Sequence, residues 1–512
     1  MEIFNSHFYI LTHSKIKILL EEKKRAYRNI LKGTAVFGGV QVFNIIINIV
    51  KGKLIAVILG PYGMGISALL TTTISALNQF AGLGINVSAM RELAQSHNEG
   101  DIDALSEKIK IYKRLVLFTG IGGAFVALAL SPVLSQIAFH NYSYTIPFAL
   151  LSLFVLFSVL ANAEVTLLQG TGQLKSLAKS TLIGPLTGLL ISVPLYYFFG
   201  TKAIAPAMVI LAAITFIINH YFARKIPTKP SLFTWSRFKQ FGKIWISLGL
   251  ILMVSSLLGT LANFVVNSYI SHYGDIKDVG LFQSSLSLTE QYVGLVFMAM
   301  AVDYYPKLAA ISEDNRKVKE IVNNQSEIVL LLISPIVMLL IITAPLLIKI
   351  LLSSEFLVIT IVVKWMSLGL FFKAASYPLG YIALAKGDNK IFFWAEAVLG
   401  NIILLIFNII FYRLYGLTGL GISFLVFYIV YYLMVIAISV KRYSFRYNKD
   451  YLKIFFVLLS IISVLFLLSL KSGIVYFITE LIVFACGAFL AIAQLNKRMD
   501  LLKLIRQKLK LN

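Results

Sequence analysis

Residues 60–94 read GPYGMGISALLTTTISALNQFAGLGINVSAMRELA, and residues 274–309 read GDIKDVGLFQSSLSLTEQYVGLVFMAMAVDYYPKLA. Gly65 and Gly280 align at an offset of 215 residues (280 − 65), and Arg91-Glu92-Leu93-Ala94 meets Pro306-Lys307-Leu308-Ala309 in the same register. Farther along, LQGTGQLKS around Gly172 meets LAKGDNKI around Gly387, again at 215, and Gly200 meets Gly416 at 216. Glycines are common in loops, so any single match is weak. Four in one register, each at the same place relative to the apolar segments around it, indicate a duplicated unit.

The duplicated material is membrane-spanning. Of the 512 residues, 58% are hydrophobic and 13% charged, whereas an ordinary soluble domain is about half apolar and a quarter charged. A water-soluble enzyme is excluded. Apolar windows of about 20 residues, the length that crosses a bilayer core as a helix, recur from residue 34 to 493 with short polar breaks. No segment has the alternation and ~10-residue length of a barrel strand. The expected fold is an all-α polytopic membrane protein with about fourteen transmembrane helices.

The repeat divides these helices. Residues 34–222 form an N-terminal lobe of six spans, 223–243 a basic linker, and 241–440 a second six-span lobe. Residues 441–496 add two more spans, and 497–512 form a basic tail. An even number of spans per copy gives both lobes the same orientation, so the repeat is parallel, related by an axis along the membrane normal. Residues 1–33 lack the long apolar core of a cleavable signal peptide. They read either as an amphipathic segment on the cytoplasmic surface or as an unstructured basic tail.

Lys and Arg number 46 against 23 Asp and Glu, a net charge of +23. With the N-terminus inside, 37 of the 46 basic residues fall in cytoplasmic segments, which is the positive-inside pattern. The excess therefore reports topology, with both termini cytoplasmic, and nucleic acid drops out as a partner. Cys486 is the single cysteine, which excludes an intrachain disulfide and a thiolate metal cluster. There is no GxxxxGK[ST] for ATP, and His7, His13, His97, His140, His220 and His272 lack metal-ligand spacing. No cofactor and no metal are expected, and the chain reads as no enzyme.

Two stretches resemble a known family. Gly52-Lys53-Leu54-Ile55-Ala56-Val57, followed by Leu59-Gly60-Pro61-Tyr62-Gly63-Met64-Gly65, is similar to the first-span signature of the repeat-unit (Wzx-type) flippases. Gly380-Tyr381-Ile382-Ala383-Leu384-Ala385-Lys386, with Ala395-Glu396 after it, is similar to that family too. The likeness covers about residues 30–440 and points to the polysaccharide-export branch of the MATE-like flippase superfamily. It implies a V-shaped, two-lobed bundle around a central cavity. It also implies transfer of undecaprenyl-pyrophosphate-linked oligosaccharide repeat units from the cytoplasmic to the periplasmic leaflet of the bacterial inner membrane, for O-antigen, capsule or exopolysaccharide assembly. Membrane lipid, H+ or Na+ as coupling ion, and the polysaccharide polymerase and chain-length machinery are the further partners it suggests. The alternatives are a MATE-type drug antiporter and, from another class, a membrane glycan polymerase or ligase. Outer loops of about ten residues or fewer disfavour the latter.

Such a cargo is anionic and polar, so its path needs polar and cationic groups inside the membrane. Gln41, Asn44, Asn48 and Lys51 share one face of span 1. Lys51 and Lys53, two residues apart, point to nearly opposite sides. Spacing favours Lys51 for the cavity, the family likeness favours Lys53, and snorkelling to the surface is open to either. Span 7 repeats the stripe with Thr260, Asn263 and Asn267, and span 2 carries Thr71, Ser75, Asn78, Gly82 and Asn86. In span 8, Gln283 and Ser287 lead to Glu290 near mid-membrane, the candidate ion-coupling carboxylate. Lys364 and Lys373 lie in span 10, and Lys373 is the better placed for a phosphate or for an ion pair with Glu290. Arg91 and Asp303 stand at inner ends of spans, as entrance candidates or simple interface markers. Glu164 and Glu396 read as acids near inner ends. The abundant Tyr and Phe suit interfacial belts.

Overall fold

The computed structural model describes residues 43–230 and 234–499, apart from several side chains between 251 and 303. The basic segment 1–33, Gln41, the side chain of Asp303 and the tail from 500 lie outside the described residues. Nine helical stretches among them are long and apolar enough to cross a membrane, and no strand occurs among them. The exact count of fourteen crossings is not fixed by length and composition. Three of the stretches, Phe43–Gly82, Leu174–Ala223 and Asn389–Tyr443, run 40, 50 and 55 residues, roughly twice what one crossing needs. Each turns back at a glycine with positive φ: Gly60, Gly200 and Gly416.

In chain order we label α1 (Phe43–Gly82), α2 (Ile85–Asn98), α3 (Ile102–Phe139), α4 (Thr145–Gly170), α5 (Leu174–Phe199) and α6 (Ile204–Ala223). After the linker come α7 (Trp235–Tyr273), α8 (Ile276–Ala310), α9 (Asn315–Leu351) and α10 (Thr360–Ala385). They are followed by α11 (Asn389–Phe392), α12 (Asn401–Tyr443), α13 (Lys449–Ser469) and α14 (Ile474–Met499). A π-helical segment, Phe393–Gly400, joins α11 to α12.

The duplication is written into the backbone. α4 and α10, both 26 residues long, begin and end 215 residues apart. Gly200 (φ 57°, ψ −140°) and Gly416 (φ 55°, ψ −140°) share one conformation, as do the φ angles of Gly172 (64°) and Gly387 (68°). These left-handed values suit glycine because a Cβ would clash there. α4 is the central helix of the first lobe, against α2, α3 and α6, and α10 takes the same place among α8, α9 and α12. The α13–α14 hairpin packs on α9.

Helix starts at one end of the bundle carry acidic or amide caps. Asp101 accepts from Ala104 N (2.9 Å), Asp314 from Arg316 N (3.0 Å) and Asn448 from Tyr451 N (2.7 Å), as first-turn amides require. The basic loops lie at this end, and Gly60, Gly200 and Gly416 lie at the other. Polar anchors stiffen each lobe near the basic end. Glu164, read above as an acid near an inner end, is buried against Lys113 (3.0 Å) and His220 (2.8 Å). Glu327 is bonded by Arg498 (2.6 Å) and Asn448 (3.2 Å), tying α14 to α9 and α13.

α7 leans on both lobes. Its first half rests on α2 and α3: Ser88 donates to the Trp245 carbonyl (2.8 Å), and Trp245 meets Tyr112 edge-to-face. Gly84 and Gly249 pack backbone to backbone, with room for a Cβ on neither. Its second half joins α12, through Tyr269 against Tyr412.

Candidate functional site

Two cavities meet near the middle of the bundle. The first, about 770 Å³, lies between the lobes. α1 contributes Thr72, Ser75 and Gln79, α7 contributes Thr260 and Asn263, and α8 contributes Gln283, Ser287 and Glu290. Hydrogen bonds cross it. Gln79 donates to Thr260 (2.6 Å), and Gln283 donates to the buried Asn267 (2.9 Å), whose amide reaches Thr72 (3.4 Å). Spacing explains the wall: Gln283, Ser287 and Glu290 fall at i, i+4 and i+7 on one helix face.

In span 2 the face that meets the cavity is Thr72, Ser75 and Gln79, one position round from the expected stripe. Asn78, Gly82 and Asn86 line a smaller space of about 210 Å³ that shares Gln79 with the central cavity and is also bordered by α7.

The second cavity, about 420 Å³, is inside the C-terminal lobe. Lys373 stands on its wall and forms an ion pair with Glu290, which stands on the wall of the first. The pair is thus a partition between the two spaces. Lys373 Nζ also lies 5.2 Å from the Tyr428 ring centroid, a cation–π distance.

The other candidate residues are dispersed. Lys53 donates to the carbonyls of Lys349 (3.0 Å) and Leu352, and so caps the C-terminal end of α9. Lys364 donates to the Ser469 carbonyl at the end of α13, with Glu480 of α14 nearby. Both cations sit where helix ends present unpaired carbonyls. Lys51 is half-buried and, among the described residues, has no hydrogen-bond or ion-pair partner. Asn44 keeps a buried side-chain oxygen without a partner, Asn48 is exposed, and neither lines the central cavity, which takes Ile45 from that span. Asn263 lines it and Asn267 lies just behind. Arg91 is exposed on α2 and lines neither cavity. Among the described residues no cluster of His, Cys, Asp and Glu is suited to a metal ion.

The family model described as polysaccharide biosynthesis protein matches residues 54–361, more than half of the chain. The chain belongs to that family. Within the curated relatives, the Lipid III flippases of Escherichia coli (strain K12) and Shigella flexneri are each 25% identical over 394 residues. Those matches cover 74% of this chain and 91% of each relative. The fold is shared with solved transporters. The lipid II flippase MurJ, in an inward closed conformation, superposes with a TM-score of 0.70 at 18% identity, covering 91% of this chain and all of MurJ. An inward-facing multidrug resistance MATE family transporter of the MOP superfamily gives 0.68 at 16% identity, over 78% and 94% of the two chains. The family member described here is therefore a multi-pass helical membrane protein with the two-lobed MATE-like fold.

Sequence reasoning passed over the second cavity. Glu396 read as an interfacial acid and the tyrosines as belt residues, yet Tyr377, Tyr381, Tyr428 and Tyr431 converge there with Glu396. The available signal was the i, i+4 spacing of Tyr377 with Tyr381 on the helix that carries Lys373.

Proposed function

We propose that this protein flips a polyprenyl-pyrophosphate-linked oligosaccharide from the cytoplasmic to the periplasmic leaflet of the inner membrane by alternating access. The observation that carries the reading is the central cavity of about 770 Å³, walled by polar residues of both lobes and flanked by the Lys373–Glu290 pair. A polar head group needs such a hydrated path, while its hydrocarbon tail stays in lipid. The relatives named Lipid III flippase agree with a lipid-linked glycan as cargo. The basic end of the bundle faces the cytoplasm, with both termini on that side.

In this reading Lys51 and Lys373 meet the pyrophosphate, while Lys53 and Lys364 hold helix ends. Asn263 and Asn267 offer hydrogen bonds to the sugar, and Arg91 attracts the head group at the entrance. Glu290 holds Lys373 until phosphate competes for it. The carboxylate that loses its cation is then neutralised by a coupling ion, H+ or Na+. One pair serves both cargo and ion. Rocking of the lobes about the midplane exchanges access.

The test is genetic. In cells that depend on this gene for a surface polysaccharide, Lys51→Ala with Lys373→Ala should abolish export while the protein stays in the membrane. Export that survives both changes would refute the reading. Drug sensitivity without loss of polysaccharide on deletion would instead mark a cation antiporter.

A further inference from the structure

The stretch Gly380–Lys386 and the pair Ala395-Glu396, separated by eight residues in sequence, meet in space. Glu396 lies on the π-helical segment Phe393–Gly400, a distortion found frequently at functional sites. Gly380 faces it: a Cβ there would come within 3.2 Å of Glu396 Oε1. The missing side chain lets the carboxylate approach α10, and Tyr431 donates a hydrogen bond to it. Among the described residues no cationic side chain pairs with Glu396.

The rings around it are fixed by their own hydroxyls. Tyr377 donates to the Phe297 carbonyl (2.6 Å) and lies 3.2 Å from the Tyr381 hydroxyl. Asn401 donates to Ala397 O (2.9 Å), which leaves its own oxygen as an acceptor. The result is a cavity of about 420 Å³ with aromatic walls and two convergent acceptors. That combination of size, apolar lining and few placed polar groups is typical of a small-molecule site.

We propose that this cavity is a subsite for one pyranose ring of the glycan, an assignment that rests on the flippase reading above. A pyranose has C–H faces that lie against aromatic rings and hydroxyls that donate to acceptors such as Glu396 and Asn401. Other occupants fit worse. A bare ion needs neither aromatic walls nor this volume. An organic cation would meet Lys373, whose ammonium already lies over the Tyr428 ring. An acyl chain would offer Glu396 no donor beyond Tyr431 and the Asn401 oxygen none, in apolar surroundings. The position is also apt. Lys373 is shared with the partition, so a phosphate held there puts the first sugar within reach of Tyr381.

The experiment uses the full chain in nanodiscs, with binding followed by native mass spectrometry. Two probes are compared: undecaprenyl pyrophosphate, and the same lipid bearing one N-acetylhexosamine. The unaltered protein should prefer the sugar-bearing lipid. Tyr381→Ala and Glu396→Gln should each reduce that preference at least tenfold while affinity for the bare lipid changes less than twofold. Tyr381→Phe, which keeps the ring, should retain the preference and certify that the site tolerates substitution. Equal weakening of both lipids, or an unchanged preference, would overturn the subsite and leave the flippase reading standing. Failure of the unaltered protein to bind either lipid would overturn both.

Discussion

Gly65 and Gly280, 215 residues apart in sequence, pack against each other reciprocally. A Cβ on Gly65 would lie 1.9 Å from the carbonyl oxygen of Ile276, and one on Gly280 would lie 2.0 Å from that of Pro61. Pro61 and Ile276 are themselves 215 apart, so the contact obeys the symmetry of the repeat. It holds the lobes together at the Gly60 end, beyond the central cavity, and gives a physical reason for the glycines that first revealed the duplication.

Gly280→Ala should therefore force that end open. Overpacking of a tight contact costs about 1–3 kcal/mol, enough to shift a two-state balance by about fivefold to 150-fold. Spin labels at Tyr62→Cys and Lys277→Cys should report a longer or broader distance in the Gly280→Ala background. An unchanged distribution would mean that the contact does not limit opening.

The Lys373–Glu290 pair predicts non-additivity. Lys373→Met alone strands a carboxylate and should cost about 1–3 kcal/mol, less than for a fully buried pair because both groups border cavities. Adding Glu290→Gln should recover part of that loss. Melting of the two single variants and the double variant checks this, and simple additivity would contradict the pairing.

Asn267 is fully buried, accepts from Gln283 and reaches Thr72 across the lobe boundary. Asn267→Ala should destabilise the protein by about 1–3 kcal/mol by leaving Gln283 unsatisfied. Asn263→Ala, at an exposed position, should change melting much less. Equal effects would show that the network adds nothing.

His140 follows α3 at the Gly60 end and faces α7, with His272 at 3.9 Å between ring centroids. Burial, and then the neighbouring His272, hold its pKa below the ordinary 6.5, against the opposing effect of a hydrogen bond that the ring donates to the Ser268 backbone carbonyl. The folded imidazole therefore binds a proton less readily than the unfolded one. Stability is complete above pH 6.5 and is lost as pH falls below it, towards the depressed folded value. The distance reported by the Tyr62/Lys277 labels should lengthen on acidification, and His140→Phe should remove that dependence. A closed end insensitive to pH would contradict this.

Two of the intramembrane lysines, Lys364 and Lys51, should separate by assay. Lys364→Ala should loosen the α13–α14 hairpin and expose it to protease, with lipid binding intact. Lys51→Ala should leave melting near normal and weaken polyprenyl-pyrophosphate binding about tenfold, close to 1.4 kcal/mol. The reverse pattern would exchange their roles.

The repeat and the helical class were legible because both rest on local signals. Apolar runs mark spans, and glycines mark the places where the chain needs positive φ, as Gly200 and Gly416 do. The Glu290–Lys373 contact was also within reach, since both residues stand near mid-membrane and each needs a partner. What could not be read was which partner a long side chain finds. Lys53 and Lys364 look like cavity cations in sequence, but each reaches a helix end contributed by an element far along the chain. The aromatic cavity escaped for the same reason. Tyr377 and Tyr381 belong to α10, Tyr428 and Tyr431 to α12, and Glu396 to a π-helical segment that nothing in the sequence marks.

The central claim is the movement of a lipid-linked glycan. Its most direct measurement places the purified protein in sealed proteoliposomes with a fluorescent undecaprenyl-pyrophosphate-linked oligosaccharide and follows access of the inner-leaflet pool to an external, membrane-impermeant quencher. The account predicts that the inner pool becomes quenchable with the unaltered protein, and that Lys51→Ala combined with Lys373→Ala returns the signal to that of protein-free liposomes. An inner pool that stays protected with unaltered, folded protein would contradict it.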